Sequence, residues 1–430
     1  MEWDRDGFIK PTGPADWYEG RSAEFARRCP ASPAAADEDR IAFDQFPLAE
    51  HQDPEIGRFI AAYVGHAEEA EYRADGSSGG LTSWTAAELL RQGAVDGVAH
   101  VVAVPDPQSA GRFFEYRISR SPDAIRDGAK SRYYPVELSE VLREIRAVPG
   151  RYAVVGIPCF IKAVQLLRRA DRQIGERVTH TLGIFCGHMK SAHMIESFAW
   201  QLGTEMDRVQ GLDYRLKDPS RPANWYRAHL SLTDGAEAAQ DWWHLVDGDW
   251  GAGFFQNPAC NFCDDVVAET ADISFGDAWV EPYSSDGRGT NVVIVRSEPL
   301  HQMIEDARRE GRLRLEPVDA AFVTETQAAG LRHRREGLAY RLTWRHRGVT
   351  PRKRVGPSAA RPSLRRRLVY RSRAGISAWS HRMFRVAKRM RMPRLYLGWA
   401  RLALTFYQAL TYSRGRLGKL FDRLERALGG

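Results

Sequence analysis

Three times in this chain an apolar, β-branched run is followed at once by a stretch with helical spacing. The runs are RYAVVGIPCF (151–160) before IKAVQLLRRA, HTLGIFC (180–186) before the helix that carries on to Gly203, and GTNVVIVRS (289–297) before HQMIEDARREGRLRL. Strands that alternate with helices pair in parallel, because a parallel pair needs a long crossover and a helix supplies one. The alternation therefore predicts an α/β fold built on a largely parallel sheet with flanking helices. An earlier segment fits the same scheme. In DGSSGGLTSWTAAELLRQGAVDGVAHVVAV (75–104) a glycine-rich turn opens an amphipathic helix that stops at Gly93, and Val98–Val104 follows as a buried strand. Between 213 and 256, the alternation in WYRAHLSL points to an antiparallel insertion.

The chain has 430 residues, 43% of them hydrophobic and 10% aromatic, enough for a sizeable core in two or three domains. The expected divisions are an N-terminal region with a linker (1–75), the α/β domain (76–330), an Arg-rich linker (331–360) and a basic helical tail (361–430). Charge is divided sharply. From Pro351 onward there are 21 Lys and Arg against 2 Asp and Glu, leaving 41 basic and 53 acidic side chains before that point. An acidic body with a basic tail suggests an anionic partner for the tail. RLYLGWARLALTFYQALTY (394–412) is largely apolar, but Arg401 near its middle counts against a spanning helix, which needs about 20 apolar residues. Trp399, Tyr396, Tyr407 and Tyr412 among basic clusters fit a helix lying on an anionic membrane surface, or one packed on the body or a partner; nucleic acid is not expected. The N-terminus shows no signal peptide, and the cysteines do not form a secreted disulfide pattern. The expectation is a cytoplasmic protein, peripheral at the inner face of the membrane if the tail binds there, with room for a homo-oligomer.

Five cysteines are present: Cys29, Cys159, Cys186, Cys260 and Cys263. Cys260 and Cys263 have C-x-x-C spacing, which serves a redox disulfide, half a zinc site or half an iron–sulfur cage. Cys159 and Cys186 each stand at the carboxyl end of an expected strand just before a helix, where ligand sites form in open α/β sheets. Four thiolates suit soft iron, zinc is an equal rival, and small buried cysteines with no ligand role remain an alternative.

Several segments, in order, resemble the coenzyme F420-reducing hydrogenase/dehydrogenase beta-subunit (FrhB/FdhB-type) iron–sulfur flavoprotein family. They are SSGGLTSWTAAELLRQGAVDGV, KSRYYP (130–135), VVGIPCF, GIFCGH and CNFCDDVVAETADISFGDAW, and the likeness covers roughly residues 50–300. That family includes the bacterial divinyl chlorophyllide reductase, the hydroxymethyl chlorophyll reductase of plants and many members encoded among polysaccharide genes. The resemblance implies an FAD site beside one 4Fe-4S cluster, with Cys159, Cys186, Cys260 and Cys263 as metal ligands. Many members also carry an N-terminal ferredoxin-like segment. Here only RRCP with the lone Cys29 is left of it, so electrons are expected from a separate ferredoxin-like donor or directly at the flavin.

For the flavin, Ser77, Ser78, Gly79, Gly80 and Thr82 form a turn at a helix N-terminus, where hydroxyls and amides suit phosphate; a plain cap reads equally well. Lys130, Ser131 and Tyr133 are candidates for the pyrophosphate, against a solvated loop. Asp272, Gly276 and Asp277 are candidates for positioning the flavin or the cysteine loop, against ordinary turn caps. His188 is the candidate proton donor, against a satisfied core histidine. Tyr214, Arg215 and Lys217 offer groups for an anionic cofactor or substrate, against a salt-bridged strand. The expected activity is electron transfer between the cluster and FAD, reducing or oxidising an organic substrate or a deazaflavin-type cofactor, with a small-molecule or glycan substrate in cell-envelope metabolism. The competing class is a zinc-stabilised or cofactor-free adaptor of a membrane-associated glycan-synthesis complex.

Overall fold

The computed structural model describes residues 1–16, 22–345, 348–360 and 362–427. The outer bounds of the basic tail (361 and 428–430), part of the N-terminal region (17–21) and residues 346–347 of the Arg-rich stretch lie outside the described residues.

One eight-stranded sheet organises the body. Its strands in chain order are β1 (Ala61–Ala67), β2 (Gly97–Ala103), β3 (Phe114–Ser119), β4 (Tyr152–Gly156), β5 (Val178–Ile184), β6 (Ile273–Asp277), β7 (Asn291–Val295) and β8 (Leu313–Val318). Across the sheet they run β8-β1-β7-β6-β5-β4-β2-β3. The centre β2-β4-β5-β6 is parallel, and every other pairing is antiparallel. The alternating strand–helix units make the parallel centre, because their helices cover both faces; β4 and β7 are buried along their whole length, as continuous apolar runs require. The helices are α1 (Leu81–Arg91), α2 (Pro158–Ala170), α3 (His193–Gln201) and α4 (Glu298–Arg309). The expected antiparallel insertion is a three-stranded sheet of Val209–Asp213, Arg227–Leu232 and Glu237–Asp241.

The domain limits differ from the sequence expectation in two places. Strand β1, placed above in the N-terminal region, lies inside the main sheet between β7 and β8. The stretch 331–360 is no linker: it holds α5 (Ala328–Arg334) and α6 (Glu336–Leu342), and its Lys353 and Arg354 are buried against the acidic residues that follow Cys263. The tail forms α7 (Leu364–Met390), α8 (Pro393–Tyr412) and α9 (Gly415–Ala427). Phe384, Ala387, Tyr396, Ala400 and Tyr407 from α7 and α8 join one hydrophobic cluster with Phe198, Tyr214, Trp242, Phe254 and Phe255 of the body. Of the aromatics expected at a membrane interface, Tyr396 and Tyr407 are thus core residues, while Tyr412 remains exposed. Burying an aromatic ring removes far more apolar area from water than an interfacial position would. No helix among the described residues is long and apolar enough to cross a membrane.

Candidate functional site

The parallel register brings two of the cysteines level. Gly156 of β4 pairs with Gly183 of β5, and Cys159 and Cys186 each follow their glycine by three residues. Cys159 lies in the first turn of α2, which opens with Pro158 and has no side-chain cap. The Cys186 loop is tied to the segment after the C-x-x-C pair: its backbone N–H donates to the Val266 carbonyl at 2.9 Å. Cys260 lies in a short 3-10 turn, Pro258–Phe262, which Cys263 caps at its C-terminal end; the turn is held by Asn257, whose N–H donates to the Met189 carbonyl at 2.9 Å. The Met189 N–H in turn donates to Cys260 Sγ at 3.4 Å, and Cys263 Sγ donates to the Asp265 carbonyl at 3.3 Å. Three chain segments distant in sequence thus converge on one place.

Electrostatics bind the four thiols into a group. Cys159 keeps an exposed surface, and Cys186, Cys260 and Cys263 are half-buried. The protein packed around the Cys159 thiol still pushes it well up, and Cys263, Cys186 and Cys260 push it further; Cys186 and Cys263 are also raised, first by loss of solvent. Burial pulls the Arg334 guanidinium down, but the thiols of Cys263, Cys260, Cys186 and Cys159 more than offset this and hold it above its usual value. Arg334 is 2% exposed and donates to the Cys260 carbonyl at 2.7 Å and to the Gly187 carbonyl. Among the described residues no three His, Cys, Asp or Glu side chains converge on a single-ion site. A four-iron cubane does not ask for that, because each thiolate binds a different iron. A donor set of four thiols close enough to act on one another, with a buried arginine beside them, fits such a cluster in chemistry and sign.

The carboxylates after the pair do another job. Asp264 bonds Lys353 Nζ at 3.1 Å and the Arg354 N–H at 3.1 Å; Glu269 takes both Arg354 Nη atoms at 2.6 and 2.8 Å. Asp264 is held at about 2, since Lys353 and Arg354 outweigh its burial, while burial and Glu269 push Asp265 up to about 7.

A run of rings leads away from the thiols. His188, two residues past Cys186, stacks on Trp250 at 4.3 Å between centroids, and Trp250 meets Tyr133 at 4.8 Å. Neither ring nitrogen of His188 has a hydrogen-bond partner, and burial followed by Lys190, Arg373 and Arg334 holds it neutral. Beyond Tyr133, Arg215 lies over Tyr226 at 4.2 Å and forks onto Asp277 at 3.0 and 3.4 Å. Burial raises the Tyr133 hydroxyl against the opposing pull of Arg215.

At the far end of this run lies the serine–glycine turn. The Ser131 N–H donates to Ser77 Oγ at 2.8 Å, so the two segments singled out for a phosphate do meet. Ser78 Oγ donates to the Thr290 carbonyl at 3.0 Å, and Thr82 stands half-buried in the first turn of α1. The glycines have an internal reason. A Cβ on Gly79 would stand 2.8 Å from Asn291 Oδ1, and one on Gly80, at φ +80°, would stand 2.3 Å from the Tyr72 carbonyl oxygen. Gly276 is likewise required by packing, since a Cβ there would strike the Phe185 ring. Lys217 Nζ donates to the Arg73, Ser78 and Arg288 carbonyls. Burial, then Lys130, Arg215 and Arg73, bring Lys217 down to about 7. Lys130 pairs with Asp213 at 3.3 Å. The cations Lys130, Lys217, Arg73 and Arg215 gathered beside the Ser77 and Ser78 hydroxyls fit an anionic diphosphate, and the aromatic panel of Tyr133, Tyr226 and Trp250 fits a flat ring system.

One expected member stands elsewhere, and another is buried behind the rings. Asp272 precedes β6 at the end opposite Asp277, and its Oδ2 accepts from the Thr181 N–H at 2.8 Å and Oγ1 at 2.6 Å, a role within the sheet. Tyr214 is fully buried in the cluster shared by body and tail and touches Phe114 and Tyr133. Cys29 stands at the C-cap of a short helix, Ala23–Arg28. Arg334 and Trp250 were missed by sequence reasoning. Arg334 sat inside a stretch whose arginines looked solvated, and Trp250 carried no spacing signal.

Two family models match the chain, both describing the beta subunit of coenzyme F420 hydrogenase/dehydrogenase. The model of its N-terminal part matches residues 62–143, and the model of its C terminus matches residues 150–321. A search of curated protein sequences finds no match. Among solved structures, a chain of the F420-reducing hydrogenase complex from Methanosarcina barkeri, in its xenon-derivatised form, is similar at a TM-score of 0.52 and 16% identity. The likeness covers 68% of this chain and 94% of that one, and it speaks for the fold.

Proposed function

The chain belongs to the coenzyme F420 hydrogenase/dehydrogenase beta-subunit family, and we propose on that premise that it is an iron–sulfur flavoprotein oxidoreductase. Membership supports an electron-transfer role; the observation that carries the finer reading is the four-thiol junction with Arg334 buried against it. Cys159, Cys186, Cys260 and Cys263 would hold one 4Fe-4S cluster. Ser77, Ser131, Lys130 and Lys217, with the Tyr133, Tyr226 and Trp250 rings, would hold FAD. Together these groups supply an exchange between one-electron transfer and hydride chemistry, with an organic substrate or a deazaflavin-type cofactor as the hydride partner and a ferredoxin-like protein as the electron partner. The chain's own part is spatial and electrostatic. The stacked His188 and Trp250 rings separate the two sites with apolar surface and exclude water, and His188, held neutral, offers a ring nitrogen to a proton at the flavin side. Arg215, fixed by Asp277, presents a constant positive charge toward Tyr133 and Tyr226.

Anaerobic purification of the full chain tests this. A brown protein with a shoulder near about 400 nm, flavin bands and about four irons per chain is expected. A colourless chain carrying zinc and no flavin overturns it in favour of the adaptor reading. Peripheral binding to anionic membranes is supported by the apolar side chains left exposed on the basic tail, among them Leu402, Phe406, Leu417, Leu420 and Leu424. Co-sedimentation with anionic vesicles, lost when residues 415–430 are removed, checks it.

A further inference from the structure

Everything past residue 321 lies outside the family match, yet this segment surrounds the thiol junction with cations. Arg334 is the central one. It straps the Cys260 carbonyl to the Gly187 carbonyl, joining the C-x-x-C turn to the Cys186 loop. Among the described residues it forms no ion pair with a carboxylate. A fully buried guanidinium without an anion is strongly unfavourable, and the anions nearest to Arg334 would be the four thiolates. Arg341, also 2% exposed, donates from Nε to the Asn261 carbonyl at 3.0 Å, midway between the paired cysteines. Arg373 on α7 adds a third charge, partly balanced by Asp249; its Nε is buried without a hydrogen-bond partner, and its field reaches Arg334, His188, Lys190 and Arg341. Lys353 and Arg354 stand further out and pair with Asp264 and Glu269.

We propose that the C-terminal segment is a clamp of positive charge on the iron–sulfur site, in which Arg334, Arg341 and Arg373 make that site easier to reduce. The inference rests on the iron–sulfur reading above. A cluster held by four thiolates is anionic and gains one more negative charge when it takes up an electron, so a fixed buried cation stabilises the reduced form more than the oxidised one. Arginine suits the task because it stays charged whatever its surroundings. A unit charge about 10 Å away, at an effective dielectric of about 20, is worth on the order of tenfold in the reduction equilibrium. For a one-electron couple that tenfold is about 59 mV.

The test uses the full chain, purified anaerobically, with iron assayed per chain and the one-electron midpoint titrated by absorbance and electron paramagnetic resonance. R373Q is expected to keep its iron while its midpoint falls by about 59 mV. R334K, which keeps the charge, is expected near the wild-type midpoint, and R334Q to fall below it or to lose iron by releasing the two loops. The clamp is overturned if R373Q keeps both iron and the wild-type midpoint, or if R334K and R334Q shift alike. A wild-type chain without iron overturns the functional reading and the clamp with it; iron present with unmoved midpoints overturns the clamp alone.

Discussion

The body covered by the family match and the C-terminal segment beyond it carry opposite charge, acidic before Pro351 and basic after it. Read along the chain, they look like a folded enzyme with a solvated appendage. In space they share a core and exchange ion pairs. Phe384 and Tyr396 of the segment sit fully buried among Phe254, Phe255 and Trp242 of the body, and Lys388 reaches Glu196. Arg354 crosses to Glu269, which packs against the loop that carries Cys263. Charge segregated in sequence is therefore paired in the fold, while the segment keeps exposed apolar side chains, Leu402 and Phe406 on α8 and Leu417, Leu420 and Leu424 on α9.

The comparison breaks most easily at the crossing contacts. Arg354→Ala leaves Asp264 and Glu269 buried with fewer cations, and a loss of about 3–5 kcal/mol in unfolding free energy is expected. Denaturant titration measures it, and a loss under about 1 kcal/mol would show that the Arg-rich stretch hangs loosely after all. Phe384→Ala removes a ring at 0% exposure from the joint cluster, for about 3–5 kcal/mol. Because that cluster joins both regions, a single cooperative melt should shift as a whole; two separate transitions, with the body's unmoved, would make the segment an independent unit.

A smaller effect sharpens the comparison, since each region has a buried histidine held at a similar value. His100 on β2 and His381 on α7 are both held at about 4 by burial, below the ordinary value near 6.5. The unfolded chain therefore binds protons that the folded chain refuses between pH 6.5 and 4. Stability is whole above about pH 6.5 and falls as pH drops toward 4, by on the order of 3 kcal/mol per histidine. H100N and H381N should each flatten that acid limb, read as melting temperature against pH. If only H100N does so, the segment's packing is weaker than the body's. The smallest effect belongs to the exposed end. Leu420→Glu should change stability by no more than about 0.5 kcal/mol, while vesicle binding falls; a large destabilisation would mean that α9 packs on the body as tightly as α8 does.

Much of the site could be read from local pattern. The C-x-x-C spacing and the two cysteines three residues past strand glycines are features of short segments, and their shared edge follows from parallel pairing. The serine–glycine turn and Lys130–Ser131 were also visible, although their glycines answer to Asn291 and Tyr72. Arg334, Arg341 and Arg373 were not legible. An arginine in a basic stretch has the same sequence signature whether it is solvated or buried against thiols, because charge patterning says nothing about what packs on it. Asp272 erred the other way: a carboxylate near a motif looked functional, but the strand direction carries it to the opposite end of β6.

By itself, then, the amino-acid order determined the α/β class and the parallel centre, because these depend on the period of apolar residues and on connections between neighbouring elements. Only the tertiary structure decided that β1 belongs to the sheet, that the basic segment closes over the thiol junction, and which aromatic rings link it to the serine–glycine turn. Those are contacts between residues far apart in the chain, settled by which apolar faces and opposite charges find each other when the whole molecule excludes water.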